Sequence, residues 1–333
     1  MPRAWRDRFW IAQLVLALLG AAVLAGIVKR YGIAEIRASF SALRPRWLVV
    51  YAGVVLIIYA GYALRWRALL RALGADVALG RLFGVRLAGL SIGSLTPGAK
   101  LGGEPLRAYI LARDGVPAGT AVATVVVDRG LELVANVVFA VGYCAAFALR
   151  DRVMAGRVLV VIAASGVALA LGIVSVAARL RAGRSLVPAR FAPAIARIGG
   201  GPTVVLDTDA AVRRLLFEHG RLTLVAFGSA LVLNALILAE YACLFAAFAR
   251  VPSLPDLAGV LLGVGLAHAL PVPASLGALE SAQVALFHLT KGGDALGLVA
   301  AGVARIRDLV WTVPGGLYLL LRGARPVPAV KHG

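Results

Sequence analysis

Residues 95–111, LTPGAKLGGEPLRAYIL, interrupt an apolar region with prolines, glycines and charged side chains. Proline and glycine disfavour a continuous helix, so the stretch predicts a break between two helices. Pro105 suits the first position of the second helix, which makes Glu104 its expected cap and places Arg107 in its first turn. The other residues expected to form this turn or add charge are Pro97, Gly98, Lys100, Gly102 and Gly103.

A glycine-rich turn that leads into a helix presents free N–H groups, and these can bind an anion. The stretch therefore predicts half of a binding site for a charged lipid headgroup. A plain helix break with a local pair between Glu104 and Arg107 explains the same residues.

The composition of the whole chain indicates a membrane protein. Of its 333 residues, 61% are hydrophobic and 15% are charged, and the mean hydropathy is +0.89. A soluble core of this size could not hide so much apolar surface. The fold expected is therefore an all-α polytopic membrane protein, with about six full transmembrane helices of roughly 20 residues each. The apolar runs are 10–28, 47–64, 117–149, 158–178, 222–249 and 295–321.

The net charge of +19 is placed around the apolar runs. Basic residues between and beside apolar runs orient helices and meet anionic lipids, so nucleic acid is not an expected partner. Three groups of Lys and Arg, at 65–86, at 179–221 and after 321, predict one cytoplasmic side that also holds both termini. The segment 29–46 is basic but should lie on the opposite side. It is interpreted as an amphipathic interfacial helix with Ile33, Ile36, Phe40 and Leu43 on one face.

Two further apolar regions, 80–112 and 257–290, are broken by proline and glycine. With the charge distribution above, each must enter and leave the membrane on one side, so both are predicted to be re-entrant helical hairpins. Non-helical backbone at membrane depth has to be buried in protein or line a wet cavity. The expected hinge positions are Pro97, Gly98, Gly102, Gly103, Pro105, Pro273 and Gly277.

The two hairpins resemble each other in sequence. The interval from Pro97 to Arg129 equals the interval from Pro273 to Arg305. Each hairpin contains a Leu-Gly pair followed by a glutamate, and each is followed by an apolar run with charges inside it. Because the two hairpins enter from opposite sides, the pattern predicts an inverted-topology repeat with a site near the membrane midplane.

Ionisable residues inside apolar runs are costly to insert and need an explanation. Five acids and five bases of this kind balance each other, which favours a paired network in the interior of the bundle. Arg129 can reach Glu132, and Arg305 can reach Asp308, at three residues along a helix. The predicted substrate-binding residues are Lys100, Glu104, Arg107, Asp128, Arg129, Glu132, Glu280, Arg305, Arg307 and Asp308.

Ion pairs that only lock helices together remain an alternative interpretation of these residues. In the competing interpretation, an anionic headgroup replaces some of the carboxylates as partner of the arginines, because a guanidinium binds phosphate in a bidentate manner. Asn234 and Glu240 are weaker candidates for the lining of the same cavity. The motifs HExxH, GxxxxGK[ST] and GxGxxG are not present, and no catalytic residue, cofactor or metal is expected.

The quoted motifs resemble one family. LTPGAKLGGEPLRAYIL, with LRWRALLRALG before it, VVVDRGLELV after it and LPVPASLGALE near the end, is similar to the membrane domain of the lysylphosphatidylglycerol synthase transmembrane family, also called flippase-like membrane proteins. The resemblance implies a helical bundle with two re-entrant hairpins that moves lipids or lipid-linked precursors between leaflets. The segment ALPVPASLGALESAQVALF looks closest to a branch associated with hopanoid biosynthesis.

Full synthases of that family carry a soluble aminoacyl-transfer domain after the membrane part, and this chain stops at Gly333, so no lysyl-lipid product is expected. We expect a non-enzymatic lipid flippase of the bacterial inner membrane, with membrane lipids as partners. Two rivals stay open: a membrane-embedded transferase that uses Glu104, Asp128 or Asp308 as a base, and a non-transporting accessory of a lipid-biosynthesis complex. A homo-oligomer is also left open.

Overall fold

The computed structural model describes residues 25, 26, 29, 33–96, 102–149, 152–185, 203–269, 272, 275–289 and 294–323. All regular structure in these ranges is helical, which confirms the all-α class. The helices are α1 (Ile33–Ser41), α2 (Pro45–Ala72), α3 (Leu79–Leu95), α4 (Gly103–Arg113), α5 (Ala118–Ala148), α6 (Arg152–Arg181), α7 (Val204–Arg213), α8 (Gly220–Ala247), α9 (Leu254–Ala269), α10 (Ala278–Leu289) and α11 (Asp294–Gly323).

Three of the predicted spans are confirmed as helices that are long and apolar enough to cross a bilayer, namely α2, α5 and α8. A helix of 28 residues, such as α2, is about 42 Å long at roughly 1.5 Å per residue. The predicted spans at 158–178 and 295–321 lie within α6 and α11, which have 30 residues each. The first predicted span, 10–28, lies almost entirely outside the described residues.

The helices of the second half repeat those of the first half. Helix α8 has the same length as α2, and α9, α10 and α11 follow α3, α4 and α5 at almost the same interval along the chain as α8 follows α2. Helix α7 follows α1 at a slightly shorter interval. The internal repeat that the hairpin sequences predict therefore extends over the described helices of both halves.

Equivalent helices of the two halves run in opposite directions. The Arg44 amide at the start of α2 donates to the Ala247 carbonyl at the end of α8, over 3.0 Å. Near the middle, Gly61 lies against the side chain of Leu233. Towards the other end, Leu69 and Ala226 share one core cluster. Helices α2 and α8 are thus antiparallel along their length, which is the relation expected for an inverted repeat.

Each of the two broken regions forms a pair of packed helices. Helix α3 packs against α4, and α9 packs against α10. One helix of each pair also packs against the other half of the chain. Helix α3 packs on α11 of the second half, and α9 packs on α5 of the first. At the α3–α11 crossing a Cβ on Gly315 would collide with the Leu87 carbonyl, and Ser91 donates to the Thr312 carbonyl. The long charged helices α5 and α11 therefore each pack against helices of both halves.

One end of the bundle is rich in arginine. The end of α2 meets the start of α8 there, and Asp114 after α4 binds both Arg81 of α3 and Arg322 of α11. Arg81 and Arg322, from two of the basic groups, therefore lie at a common end, as their charge predicts. The predicted interfacial helix is α1, and its Phe40 packs against Gly302 of α11.

Candidate functional site

The most enclosed charge in the first half is Asp128, whose side chain on α5 is 0% exposed. Three arginines donate to its carboxylate. Arg65 donates through Nε over 2.8 Å, Arg86 through Nη1 over 2.9 Å and Arg107 through Nη2 over 3.0 Å. These arginines come from α2, α3 and α4. The carboxylate of Asp128 therefore connects α2, α3 and α4 to α5.

Two further carboxylates surround this centre. Glu132 lies one turn along α5 and accepts hydrogen bonds from Arg86 over 3.4 Å and from Arg129 over 3.0 Å. Glu104 accepts from Arg107 over 2.6 Å. We call this group the Asp128 cluster, and its members are Arg65, Arg86, Glu104, Arg107, Asp128, Arg129 and Glu132. With four arginines against three carboxylates, it carries one positive charge in excess.

Aromatic rings of α2 hold the arginines in place. The guanidinium of Arg107 lies 4.1 Å from the centre of the Trp66 ring, and that of Arg86 lies 4.3 Å from the Tyr62 ring. The indole of Trp66 donates to Thr124 of α5 over 3.3 Å. A cation over an aromatic face is stabilised by the ring quadrupole, more strongly when it is desolvated. The arginines are therefore positioned by more than their carboxylate partners.

The Asp128 cluster has unused hydrogen-bond donors. Both Nη atoms of Arg65 and the Nε atom of Arg107 are buried without a hydrogen-bond partner. Arg65 Nη2 lies 3.8 Å from Glu132, which is an ion contact and too long for a hydrogen bond. Leaving a buried donor unsatisfied costs about 1–3 kcal/mol, more for a charged group. These donors make the cluster suited to a further acceptor such as a phosphate oxygen.

Close helix packing lets Arg107 reach Asp128. Gly89 of α3 and Gly103 of α4 meet backbone to backbone, and a Cβ at Gly103 would collide with the Gly89 carbonyl oxygen. A Cβ on Gly89 would also lie 2.7 Å from Cγ of Arg107. Glycine at both positions is therefore required by the close approach of the two helices, not by an unusual backbone angle.

We expect the substitution Gly103→Ala to separate α3 from α4 and to lower stability by about 1–3 kcal/mol, the usual cost of overpacking. The measurement is thermal unfolding in detergent, followed by intrinsic fluorescence. Gly130→Ala is the matched control, because a Cβ at Gly130 on α5 meets nothing within 4 Å. Equal melting temperatures for the two variants would show that the Gly89–Gly103 contact is not tight in the membrane domain.

A second group of charges lies in the second half. Glu280 of α10 receives two hydrogen bonds from Arg305 of α11, over 2.7 and 3.1 Å. Arg305 also donates to the Ser275 carbonyl over 3.0 Å. Arg307 donates to Glu240 of α8 over 2.5 Å and to Asp308 over 2.9 Å.

We use the name Arg307 cluster for these two sets of contacts, Arg305 with Glu280 and Arg307 with Glu240 and Asp308. Three carboxylates face two arginines, so it carries one negative charge in excess, opposite to the Asp128 cluster.

The two clusters lie at different depths along α2, and the convergence of all these charges on one central chamber stays a prediction. Glu240 and Arg307 lie near Tyr51 of α2, and Arg65 is fourteen residues further along that helix. Fourteen residues of helix correspond to about 21 Å. The reason is the antiparallel repeat, which places equivalent positions of α2 and α8 on opposite sides of the midplane.

Aromatic side chains occupy the space between the clusters. Tyr59 of α2 lies near both Arg86 and Arg307. Its ring stacks on Trp311 of α11 with centroids 4.6 Å apart, and it contacts Tyr62 edge to face at 6.3 Å. Tyr59 and Tyr62 therefore lie in the region between the two clusters.

The clusters are related by the repeat with a change of sign. Glu240 of α8 follows Arg65 of α2 at the same interval as α8 follows α2, so the two residues occupy equivalent positions. Each pairs with the long helix that follows the hairpin of its own half. Arg65 pairs with Asp128 and approaches Glu132 on α5, and Glu240 pairs with Arg307 on α11. The same position thus carries opposite charge in the two halves.

Two local pairs expected from the sequence are present. Glu104 binds Arg107 and Arg129 binds Glu132, each at three residues along a helix. Arg305 binds Glu280 of α10, and Asp308 binds Arg307, its neighbour on α11. Among the predicted residues, Pro97, Gly98, Lys100 and Pro273 lie outside the described residues.

The predicted start of α4 is wrong. The helix begins at Gly103 with Gly102 as its cap, so Glu104 is its second residue and Pro105 its third. No side chain caps this end. Gly102 has an ordinary helical backbone, and a Cβ there would collide with Thr96.

Among the predicted hinge glycines, Gly277 in the second broken region has φ of 75°, a backbone angle that favours glycine.

Two central arginines were missed from the sequence. Arg65 and Arg86 belong to the basic group at 65–86, which predicts a position on the cytoplasmic side, whereas both lie within helices and bind Asp128. For Arg65 the sequence contains a signal of a buried position. Tyr62, Arg65 and Trp66 share one face of α2 by helical periodicity, so the arginine lies beside two aromatic side chains. Within the described residues, no group of three or more His, Cys, Asp or Glu side chains is suited to hold a metal ion.

Comparison with known proteins identifies the family. The model of the lysylphosphatidylglycerol synthase TM region matches residues 10–315. A UPF0104 membrane protein of Methanothermobacter thermautotrophicus is 36% identical over 119 residues, which are 35% of this chain and 35% of that protein. A UPF0104 membrane protein of Methanocaldococcus jannaschii is 27% identical over 119 residues, again 35% of each chain. The alignments thus span about a third of these relatives, while the family match covers nearly the whole chain. The protein therefore belongs to the family defined by the lysylphosphatidylglycerol synthase transmembrane region.

Proposed function

We propose that this membrane protein moves an anionic phospholipid or a lipid-linked precursor between the leaflets of the bilayer. The observation that carries the proposal is the set of unsatisfied guanidinium N–H groups on Arg65 and Arg107, buried in a cluster with one excess positive charge. A phosphate diester would supply both the missing acceptors and the missing negative charge. Guanidinium groups suit this task because they bind phosphate in a bidentate manner.

The cluster also has a partner that can be displaced. Glu104 is 20% exposed, the largest exposed fraction among the carboxylates of the Asp128 cluster. In the proposed binding step a phosphate takes the place of Glu104 at Arg107, while Asp128 keeps the arginines together. The acyl chains remain in the bilayer, so only the headgroup is transferred through protein.

The inverted repeat supports a transport cycle. In transporters with this architecture, rocking of one repeat against the other exposes a site alternately to the two sides. Here the antiparallel helices α2 and α8 contribute Arg65 to one cluster and Glu240 to the other, and the clusters are about 21 Å apart along α2. We propose that the headgroup is held by the Asp128 cluster in one state and passes the tyrosines to reach the other leaflet. The hopanoid substrate suggested by the second hairpin remains a prediction.

The test is lipid translocation by the purified protein in liposomes. A phosphatidylglycerol with a fluorescent headgroup is added, and a membrane-impermeant quencher reports how much label reaches the inner leaflet. Arg107→Gln is expected to slow translocation at least about tenfold, because one strong charged hydrogen-bond site is worth about 1.4 kcal/mol or more. Arg113→Gln is the matched control, since Arg113 is an exposed arginine on the same helix.

Equal rates in the wild type and in Arg107→Gln would contradict the proposal. Mass spectrometry of the recovered lipid distinguishes the enzymatic rival, because a covalently modified lipid would indicate a transferase. If liposomes that contain the folded protein show neither translocation nor a modified lipid, an accessory role would be favoured.

A further inference from the structure

A groove separate from both charge clusters lies at the basic end of the bundle, between the end of α2 and the start of α8. Its volume is 520 Å³, which is within the range of roughly 300–1,000 Å³ that is usual for small-molecule sites. Arg67, Arg71 and His219 form its polar wall, and Leu64, Ala68 and Leu222 contribute its apolar wall.

The groove faces away from the Asp128 cluster. Arg67 is two residues after Arg65 on α2, and residues two apart on a helix point in nearly opposite directions. Arg65 is buried against α5, whereas Arg67 and Leu64 line the groove. A ligand in the groove would therefore not contact the site proposed for transport.

Positive charge exceeds negative charge on the polar wall. Asp76 accepts from Arg67 over 3.2 Å and from Arg71 over 2.9 Å, so one carboxylate serves two arginines. The hydrogen bond from Arg71 holds the pKa of Asp76 below its ordinary value. Even so, one positive charge remains, and Nε of Arg67 is buried without a hydrogen-bond partner. The polar wall therefore has the charge and the hydrogen-bond donor to bind an anion.

The apolar wall continues into the surface that faces lipid. Leu64 is 53% exposed, and Leu224 and Val225 on α8 are 69% and 70% exposed. Both helices that form the groove are long and apolar enough to span a membrane, and the groove lies at their ends. A site at this level, with cations on one side and apolar side chains on the other, matches a headgroup attached to acyl chains.

We infer that this groove binds the headgroup of an anionic phospholipid from the surrounding bilayer. Arg67 and Arg71 contact the phosphate, and the acyl chains lie along Leu64 and Leu222. The inference is independent of the proposed transport function, because it uses the opposite face of α2. A free phosphate ion would satisfy the arginines but would leave the apolar wall without a partner.

The test measures binding of phosphatidylglycerol to the full chain in detergent, as the rise in melting temperature with added lipid. The double variant Arg67→Gln/Arg71→Gln is expected to bind at least about tenfold more weakly than the wild type, because it removes both charged donors to the phosphate. The matched control is Arg44→Gln/Arg46→Gln, which removes two exposed arginines at the other end of α2. Phosphatidylcholine and inorganic phosphate serve as the comparison ligands.

A second variant keeps the test decisive if the double variant folds poorly. Asp76→Asn removes the competing carboxylate, so it is expected to bind phosphatidylglycerol more tightly than the wild type. The comparison is repeated in the Arg107→Gln background, in which the proposed transport site is weakened, and the loss caused by the groove variant is expected to persist there.

The inference is overturned if the control variant loses as much affinity as the groove variant, or if phosphatidylcholine or inorganic phosphate protects as well as phosphatidylglycerol. Unchanged or weaker binding by Asp76→Asn would also overturn it.

Discussion

Replacing Asp128 with asparagine is expected to lower the stability of the protein by about 3–5 kcal/mol, the usual cost of removing one partner from a buried ion pair. Asparagine has nearly the same size, so the effect comes from charge and hydrogen bonding. Three guanidinium groups, from Arg65, Arg86 and Arg107, would face a neutral amide that cannot accept from all of them. We expect α2, α3 and α4 to lose their common attachment to α5.

The measurement is thermal unfolding in detergent, where a fall in Tm of about 5–10 °C is expected for this loss. Asp76→Asn is the control, because Asp76 also accepts from two arginines but its side chain is 64% exposed. Exposed ion pairs contribute little to stability, because water screens them and their side chains lose entropy on pairing. A similar fall in Tm for both variants would show that burial does not matter and that Asp128 is not the centre of the cluster.

The second large effect is expected for Glu280→Gln in the Arg307 cluster. Glu280 is 3% exposed and holds Arg305 through two hydrogen bonds, which join α10 to α11. A glutamine keeps one acceptor oxygen but loses the charge and the bidentate geometry. We expect a loss of about 2–4 kcal/mol, at the low end of the values for buried pairs because Arg305 is 22% exposed.

Arg305→Lys gives a graded comparison for the same contact. Lysine keeps the positive charge but cannot form the fork of two hydrogen bonds, so its Tm is expected to lie between those of the wild type and Glu280→Gln. If Glu280→Gln melts like the wild type, the pairing of α10 with α11 does not depend on this ion pair. If Arg305→Lys is the less stable of the two, charge alone does not explain the contact.

The opposite excess charges of the two clusters bear on transport. In the proposed transport, a headgroup phosphate is attracted to the Asp128 cluster and repelled by the Arg307 cluster, which lies about 21 Å nearer the start of α2. The amine of a zwitterionic or aminoacylated lipid would have the reverse preference. Translocation assays that compare phosphatidylglycerol with zwitterionic lipids therefore also test whether the opposite excess charges of the two clusters affect which headgroups are transported.

Local features of the sequence determined much of this fold. The apolar runs predicted α2, α5 and α8, because a helix has to satisfy its own backbone hydrogen bonds wherever lipid replaces water. The prolines and glycines near 97–103 and 273–277 predicted two breaks, and the matching spacing around them predicted the repeat. Pairs three residues apart, such as Glu104 with Arg107, follow from helix geometry alone.

Tertiary structure decided which charges meet. Asp128 binds Arg65 and Arg86, which are 63 and 42 residues away, and no local pattern specifies such partners. Helical periodicity gives the face of a helix on which a side chain lies, but not the helix that packs against that face. For the same reason the basic group at 65–86 does not by itself predict that Arg65 binds Asp128 inside the bundle. The antiparallel packing of α2 and α8 places Arg65 and Glu240 at opposite depths, because the two residues occupy equivalent positions on antiparallel helices.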